Sequence, residues 1–197
     1  DGELELFEME YPCPSPDKDR WFSGHVTPLK NSLRGAVVSH RDITDRKLLE
    51  LELMKLATTD SLTGLPNRRY FTQAADLAVE RVNRFGATAS LIIADIDHFK
   101  TINDTHGHAV GDEALRCVTR VCEAPLRKSD VLARIGGEEF ALMLPDTREA
   151  GAIIVAEKLR EAISHARVRG VQSDFSITAS FGVAEIGPGD KGVVAGL

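Results

Sequence analysis

The 197-residue chain has little cysteine, no long hydrophobic run and no excess of positive charge. Its three cysteines, Cys13, Cys117 and Cys122, form no CxxC pair, and their odd number predicts reduced thiols in a reducing compartment. Apolar runs such as "GAIIVA" are too short to span a membrane, and we expect no signal peptide in this sequence. The net charge of -6 disfavours nucleic acid as a partner, whereas a small phosphate-bearing ligand fits if a cation assists. We therefore expect a cytoplasmic protein without membrane contact in this segment. Tethering by regions outside the chain is left open.

The first part of the chain, residues 1–43, predicts three strands without a covering layer. The pieces "ELELFEMEY", "RWFSGHVTPL" and "GAVVSHRDIT" are separated by the turn-like "PCPSPDKD" and "KNSLR". Three such strands make only a thin core, so we interpret them as the tail of a larger domain.

Residues 44–59 are rich in leucine and charge and predict a helical linker. Leu49, Leu53 and Leu56 have the spacing of a coiled-coil seam. An amphipathic helix packed on its own domain is an equal alternative.

The rest of the chain, residues 60–197, predicts a mixed α/β (α+β) fold. A helix that begins near Gly64 and Pro66 and ends at Gly86 precedes the order β-α-β-β-α-β. The strands are "SLIIADI", "VLARI", "FALML" and "FSITASFGVA", and the helices are "HAVGDEALRCVTRVCEAPL" and "DTREAGAIIVAEKLREAISH". We expect a capping box of Asp146 and Glu149 to open the second of these helices. This order is the split βαβ, or ferredoxin-like, plan.

Two carboxylates stand at the tip of the hairpin predicted within "VLARIGGEEFALML". Glu138 and Glu139 repel each other, so stability alone does not account for them. Because the first crossover makes strands 90–96 and 131–135 parallel, Asp95 and Asp97 should lie at the same edge of the sheet.

Clustered carboxylates call for a cation, and their hard oxygen atoms suit Mg²⁺, which keeps positions open for water and phosphates. Gly136 and Gly137 would allow a tight turn and the close approach of a large ligand.

A polar stretch, "DHFKTINDTHGHAVGDEAL", lies between the first strand and the next helix, where phosphates and bases are often held. Lys100 could neutralise a phosphate, and Asn103 with Asp112 could read the edge of a guanine. The stretch also contains Asp104, His106 and His108. The alternative is a solvated loop in which Asp112 caps the helix.

"RIGGEEF" resembles the signature of the GGDEF family of diguanylate cyclases, in its GGEEF form. "DSLTGLPNRR", "DIDHFKTINDTHGHAVGDEAL" and "FSITASFGVA" resemble the other motifs of the family, in the same order, from about Asp60 to Ala184. The resemblance implies a fold like the palm of polymerases and nucleotidyl cyclases. It also implies that two GTP molecules are condensed into cyclic di-GMP and two pyrophosphates across a homodimer.

The resemblance further implies roles for individual residues. Asp95 and Glu139 would hold Mg²⁺ (or Mn²⁺) with the Ile96 carbonyl, and Glu138 would be a further ligand or the base for the 3′-OH. Lys100 would stabilise the phosphates in the transition state, beside the main-chain N–H groups at Phe99. The residues implied to bind GTP are Asn103, Asp112, His108, Leu115, Phe99, Lys100, Gly136 and Gly137.

"RKSD", Arg127 to Asp130, resembles the family's RxxD inhibitory site, which binds the product cyclic di-GMP. An exposed loop is the alternative. Arginine suits either function of such a site, since it contacts phosphate or guanine in a bidentate way.

Both ends of the chain resemble incomplete units. Residues 1–43 resemble the last strands of a PAS sensor domain, with "DIT" leading into a signalling helix at 44–59. Residues 60–197 resemble a GGDEF domain without the helix that normally follows the last strand, and we interpret this as a truncation.

Three functions follow from these patterns. The first is a diguanylate cyclase with product inhibition, controlled by a sensor domain. The second is a catalytically silent GGDEF domain that acts as a receptor for cyclic di-GMP. The third is a GTP-binding domain that only regulates a partner and needs no RxxD site.

Overall fold

A computed structural model describes residues 7–16, 18–29, 35–170 and 173–190 of the chain. Parts of three sequence predictions lie outside these residues: the start of the first strand, the "KNSLR" turn and the end of the chain. The chain divides into two compact units, residues 1–55 and 56–197.

The first unit contains a three-stranded antiparallel sheet in the order β1-β2-β3. Its strands are β1 (Phe7–Pro12), β2 (Trp21–Pro28) and β3 (Ala36–Asp42). The predicted strands of this region are thereby confirmed within the described residues. Glu10 of β1 forms ion pairs with Arg46 and Lys47, which follow the sheet in the chain.

Helix α1 (Thr44–Thr58) begins at the end of β3. The Thr44 amide donates to the Asp42 carboxylate at 2.9 Å, and the Thr44 hydroxyl accepts from the Trp21 amide at 3.0 Å. Leu49, Leu53 and Leu56 are 60%, 65% and 68% exposed. The coiled-coil seam and the packing on its own domain both stay predictions for this helix.

The second unit is built on a four-stranded antiparallel sheet in the order β5-β6-β4-β7. The strands are β4 (Ala89–Ile96), β5 (Val131–Arg134), β6 (Glu139–Pro145) and β7 (Ala179–Glu185). The helices are α2 (Arg68–Phe85), α3 (Phe99–His106), α4 (His108–Glu123) and α5 (Glu149–His165). This order is that of a ferredoxin-like sheet, as the sequence predicted.

The sheet of the second unit is covered on both faces, because both sets of alternating side chains are apolar. Ile92 and Leu142 point into the core shared with α4 and α5. Met143, on the opposite face, packs against α2 through residues such as Phe71 and Val79. The sheet is thus the middle of three layers. Its edge, where β4 ends, stays open to solvent at Asp95.

Helix α2 ends as predicted. Gly86 has φ = 63°, in the left-handed region, and its N–H donates to the Val82 carbonyl. A residue with a side chain would be strained at that angle, so a glycine is favoured there.

The sequence analysis missed the helix α3, which lies in the polar stretch after β4. The alternative of a solvated loop capped by Asp112 is wrong, because α4 begins at His108. The predicted capping box is wrong as well. Asp146 and Glu149 form no capping box, since α5 begins at Glu149 and its N-cap, Arg148, makes no side-chain bond. The Glu185 carboxylate accepts from the Glu149 amide at 2.8 Å instead, so β7 supplies the cap.

One strand is shorter than predicted. The alternation in "FSITASFGVA" indicated a strand from Phe175, but β7 begins at Ala179, and Phe175 makes only an isolated bridge to Val168.

The cysteines and the helices agree with the absences noted in the sequence. Cys13, Cys117 and Cys122 are all free thiols. Burial raises the pKa of Cys122 to about 12, so this thiol stays protonated and unreactive at neutral pH. Among the described residues, every helix is too short or too polar to cross a membrane.

Candidate functional site

The carboxylates of two distant segments meet at one edge of the sheet, which confirms that prediction. Asp95, near the end of β4, lies opposite Glu139, the first residue of β6, in the antiparallel register. The Ile96 amide donates to the Glu138 carbonyl at 3.3 Å. The hairpin tip and the end of β4 are therefore joined through the main chain, and this places three carboxylates in one region.

The gathering of carboxylates at this edge changes the pKa of Asp95. Burial raises the pKa of its carboxyl, and the nearby Glu138, Glu139 and Asp97 raise it further. Like charges that gather without a counter-charge disfavour ionisation. A cation bound at this edge would remove that penalty.

Asp97 differs from Asp95, although both belong to "ADIDHFK". Its two carboxylate oxygens accept from the Thr178 and Ser180 hydroxyls, each at 2.7 Å. Its amide donates to the Thr178 carbonyl at 3.0 Å. The hydroxyl bonds lower the pKa of Asp97. Asp97 therefore joins the end of β4 to the start of β7 and has little capacity left for another ligand.

The donor set at this edge suits a divalent cation with open positions. Asp95, Glu139 and the Ile96 carbonyl offer hard oxygen atoms, and Mg²⁺ needs only one or two carboxylates because water and phosphates complete its shell. Within residues 7–16, 18–29, 35–170 and 173–190, no three or more histidine, cysteine or acidic side chains are arranged so that they could hold a metal ion by themselves. At this edge, Asp95 and Glu139 are the carboxylates that the register places opposite each other.

Arg134 holds the hairpin tip, a feature that the sequence analysis did not single out. Its guanidinium donates to both oxygens of the Asp60 carboxylate, at 3.1 and 3.2 Å. It also donates to the Gly137 carbonyl, at 3.1 and 2.7 Å. Only 15% of the Arg134 side chain and 23% of the Asp60 side chain are exposed. The tip is thereby tied to the turn that precedes α2.

Glu139 is oriented by its own hairpin and by α2. A Cβ on Gly136 would lie 2.2 Å from Oε2 of Glu139, so a side chain at 136 would displace this carboxylate from its present position. The Arg68 side chain donates to the Ile135 carbonyl at 2.7 Å and lies 3.7 Å from the same Glu139 oxygen. Gly137, in contrast, has open space at its Cβ position.

The start of α3 lies two residues beyond the end of β4. Phe99 is buried and anchors the helix, and Lys100 beside it is exposed. His98, just before them, has φ = 56°, an uncommon angle for a residue with a side chain. This angle turns the chain sharply from β4 into α3. Lys100 and the main-chain N–H groups at the start of α3 are therefore only a few residues from Asp95 along the chain.

The predicted base-reading residues lie on α3 and α4. Asn103 of α3 and Asp112 of α4 are both partly exposed. His108 is exposed as the first residue of α4. Leu115 is only 1% exposed and belongs to the hydrophobic core. Gly111 is buried next to Asp112, and a Cβ on it would lie 2.0 Å from Oδ1 of Asn103.

The other polar groups of this stretch are accounted for differently. The His106 ring stacks on the Phe175 ring with centroids 4.6 Å apart, and Asp104 is exposed. His106 therefore contributes to packing at the end of α3.

Arg127 and Asp130 form a closed turn after α4. The Asp130 carboxylate accepts from the Arg127 amide at 2.9 Å, and the Asp130 amide donates to the Arg127 carbonyl at 3.0 Å. Both residues line a surface cavity of about 540 Å³ together with Tyr70 and Lys128. The Arg127 side chain is exposed, so it is available to an anionic ligand.

The sequence analysis gave no role to four residues that position this site: Asp60, Arg68, Arg134 and Gly111. Each lies within or beside a quoted motif, but their partners are up to 74 residues away. Only the polar or glycine character of these positions within a motif could have drawn attention to them.

Known proteins resemble both the sequence and the fold. The family "Diguanylate cyclase, GGDEF domain" matches residues 57–194. The response regulator PleD of Caulobacter vibrioides is 43% identical over 140 residues, which are 70% of this chain and 31% of PleD. The probable diguanylate cyclase DgcC of Escherichia coli is 36% identical over 185 residues, which are 94% of this chain and 49% of DgcC.

Among solved structures, the coiled coil and GGDEF domain of DgcB from Caulobacter crescentus, in complex with c-di-GMP, is similar with a TM-score of 0.69. It is 35% identical, and the match covers 74% of this chain and 78% of that one.

A ferredoxin-like sheet with a glycine-flanked acidic hairpin tip defines a nucleotidyl cyclase-like protein of mixed α/β fold. The chain belongs to the GGDEF domain family of diguanylate cyclases. It spans from about a third to about a half of the length of the two relatives named above.

Proposed function

We propose that the chain is the catalytic part of an active diguanylate cyclase, which condenses two GTP molecules into cyclic di-GMP and two pyrophosphates. The observation that supports this best is the register pair of Asp95 and Glu139, with Glu138 at the same hairpin tip. A phosphoryl-transfer site needs groups that neutralise phosphate charge and a base for the attacking hydroxyl. The carboxylates of this edge would hold a metal ion for the first task, and Glu138 is a candidate for the second.

The metal would be Mg²⁺ or Mn²⁺, held by Asp95, Glu139 and the Ile96 carbonyl. When bound, it would neutralise the triphosphate and make the 3′-OH more acidic. Glu138 would be a further ligand or the base that accepts the 3′-OH proton. The raised pKa of Asp95 supports a cation here, because burial and the carboxyls of Glu138, Glu139 and Asp97 all disfavour its ionisation.

GTP would lie between the carboxylate edge and the paired helices α3 and α4. Lys100 and the main-chain N–H groups at Phe99 would bind the phosphates, where Lys100 is exposed to a ligand. Asn103 and Asp112 would read the guanine, with His108 at the rim of the site. Leu115, which is buried, would contribute through packing below the base.

Catalysis would require a homodimer. Each domain binds one GTP, and the two 3′-OH groups attack each other's α-phosphates, so a single site cannot close the ring. The exposed leucines of α1 support a helical pairing of two copies. We propose the same helix as the linker from a sensor domain of PAS type, of which residues 1–43 would be the last strands.

Arg127 and Asp130 would form the inhibitory site for cyclic di-GMP. The exposed guanidinium and the adjoining cavity of about 540 Å³ support this role. Arg127→Ala should therefore relieve inhibition by added cyclic di-GMP while initial rates stay close to those of the parent protein. Unchanged inhibition in this variant would assign product binding to another surface.

The alternative is a silent GGDEF domain that senses cyclic di-GMP or GTP. The presence of Glu138, Glu139, Asp95 and Lys100 argues against it. No observation on the described residues favours it over the enzyme.

The deciding experiment incubates the full-length protein with GTP and Mg²⁺ and detects cyclic di-GMP by mass spectrometry. The Glu138→Ala, Glu139→Ala double variant should make no product, whereas Glu161→Ala, an exposed carboxylate change on α5, should match the parent protein. If the parent protein makes no product but binds cyclic di-GMP tightly, the receptor function replaces the enzyme.

A further inference from the structure

The contact between Gly111 of α4 and Asn103 of α3 points to a specificity-determining position. Gly111 is buried, and a Cβ built on it would lie 2.0 Å from Oδ1 and 3.0 Å from Cγ of Asn103. Ordinary van der Waals contact begins near 3.4 Å. The Asn103 carboxamide therefore lies directly against the main chain of α4, in the space that a side chain at 111 would occupy.

This contact fixes where the carboxamide can point. Gly111 immediately precedes Asp112, the residue that shares the proposed role of Asn103. The Asn103 side chain is partly exposed. Its orientation therefore depends on the room that Gly111 leaves.

We infer that Gly111 positions Asn103 for base recognition and thereby sets the preference for guanine. The inference rests on the proposed function, because it takes Asn103 as a base-reading residue. Alanine at 111 would not break α4, since alanine favours a helix more than glycine does. It would instead rotate the Asn103 carboxamide away, because the end of a side chain moves more easily than a helix backbone.

The geometry predicts that Gly111→Ala changes the melting temperature differently in the parent protein and in the Asn103→Ala variant. The three heavy atoms nearest to the added Cβ, up to 3.5 Å away, all belong to the Asn103 side chain, leaving aside chain neighbours and the backbone of α4 itself. In Asn103→Ala, the same Cβ would meet no close atom, and only the better helix propensity of alanine would remain. Gly111→Ala should then raise the melting temperature by roughly 2–4 °C. In the parent protein, Gly111→Ala should not raise the melting temperature.

The test compares binding of GTP and inosine triphosphate, which lacks the 2-amino group of guanine, by calorimetry in Mg²⁺. The parent protein should prefer GTP, and Gly111→Ala should reduce that preference at least tenfold. Asn103→Ala should lose the same preference, and the double variant should match it without further loss, because positions that act through one contact are not additive. Gly151→Ala, the corresponding change in the helix α5, should leave the preference unchanged.

Two results would overturn the inference: a full preference for GTP in Gly111→Ala, or losses from the two single changes that add in the double variant. Binding is measured without turnover, so a parent protein that prefers GTP but makes no product would refute the proposed reaction while leaving this inference standing. Equal binding of both nucleotides by the parent protein would refute the inference alone, if cyclic di-GMP is still formed.

Discussion

Replacing Arg134 by methionine should destabilise the second unit and loosen the proposed catalytic hairpin. The change keeps the length and apolar stem of the side chain but removes the guanidinium. The variant therefore lacks the hydrogen bonds that the Arg134 guanidinium donates to both Asp60 oxygens and to the Gly137 carbonyl. Asp60 is left as a mostly buried carboxylate without its main cation.

The size of the effect follows from burial. Breaking a buried ion pair costs about 3–5 kcal/mol, whereas an exposed pair contributes at most about 1 kcal/mol. Arg134 and Asp60 retain 15% and 23% side-chain exposure, so water still reaches them in part. We therefore expect a loss of about 2–3 kcal/mol in the free energy of unfolding, which corresponds to roughly 5–10 °C in melting temperature.

The assay is thermal unfolding followed by circular dichroism, in parallel with cyclic di-GMP formation. Arg69→Met, at an exposed position of α2, should stay within about 0.5 kcal/mol of the parent protein. Asp60→Asn and Arg134→Met should be strongly non-additive in a double-mutant cycle, because each removes the same contact. A melting temperature of Arg134→Met within a degree or so of the parent value, or additive losses, would refute this reasoning.

Three further outcomes are expected. Burial and the neighbouring carboxylates raise the pKa of Asp95, so Asp95→Asn should increase stability in metal-free buffer at pH 7 by about 0.5 kcal/mol while abolishing product formation; a lower melting temperature would contradict this. Hydrogen bonds from Thr63 and Arg134 outweigh burial and lower the pKa of Asp60 below its ordinary 3.8. Its contribution to stability is therefore complete above that value and lost as the pH falls through the folded pKa, and acid titration of Asp60→Asn should show a smaller loss there. Leu142→Ala, at a fully buried position, should cost about 2–5 kcal/mol in urea unfolding, whereas Leu77→Ala at an exposed position should cost little; equal effects would place Leu142 outside the core.

Much of the fold could be predicted because its signals are local. Apolar side chains mark β4 and β6. The end of α2 is marked by a single residue, Gly86, which adopts a left-handed backbone angle. The meeting of Asp95 with the hairpin tip followed from a general rule of chain crossover, without knowledge of any side-chain contact.

The errors arose where a local pattern competed with a distant partner. The stretch of α3 is so polar that its few apolar residues, Phe99 and Ile102, did not suggest a helix, yet both pack on the core. Asp146 and Glu149 have capping-box spacing, but Glu185 of β7 already accepts from the first amide of α5.

The sequence by itself determined the class of fold and the family, because period, turn residues and motif spacing act over short stretches of chain. The tertiary structure alone decided which of these polar residues are held by distant partners and which stay exposed. It assigns Asp97 to β7 and leaves Asp95 exposed, and it ties Arg134 to Asp60 across 74 residues. Such partners are brought together only when the apolar core closes, so their distances and burial cannot be read from spacing along the chain.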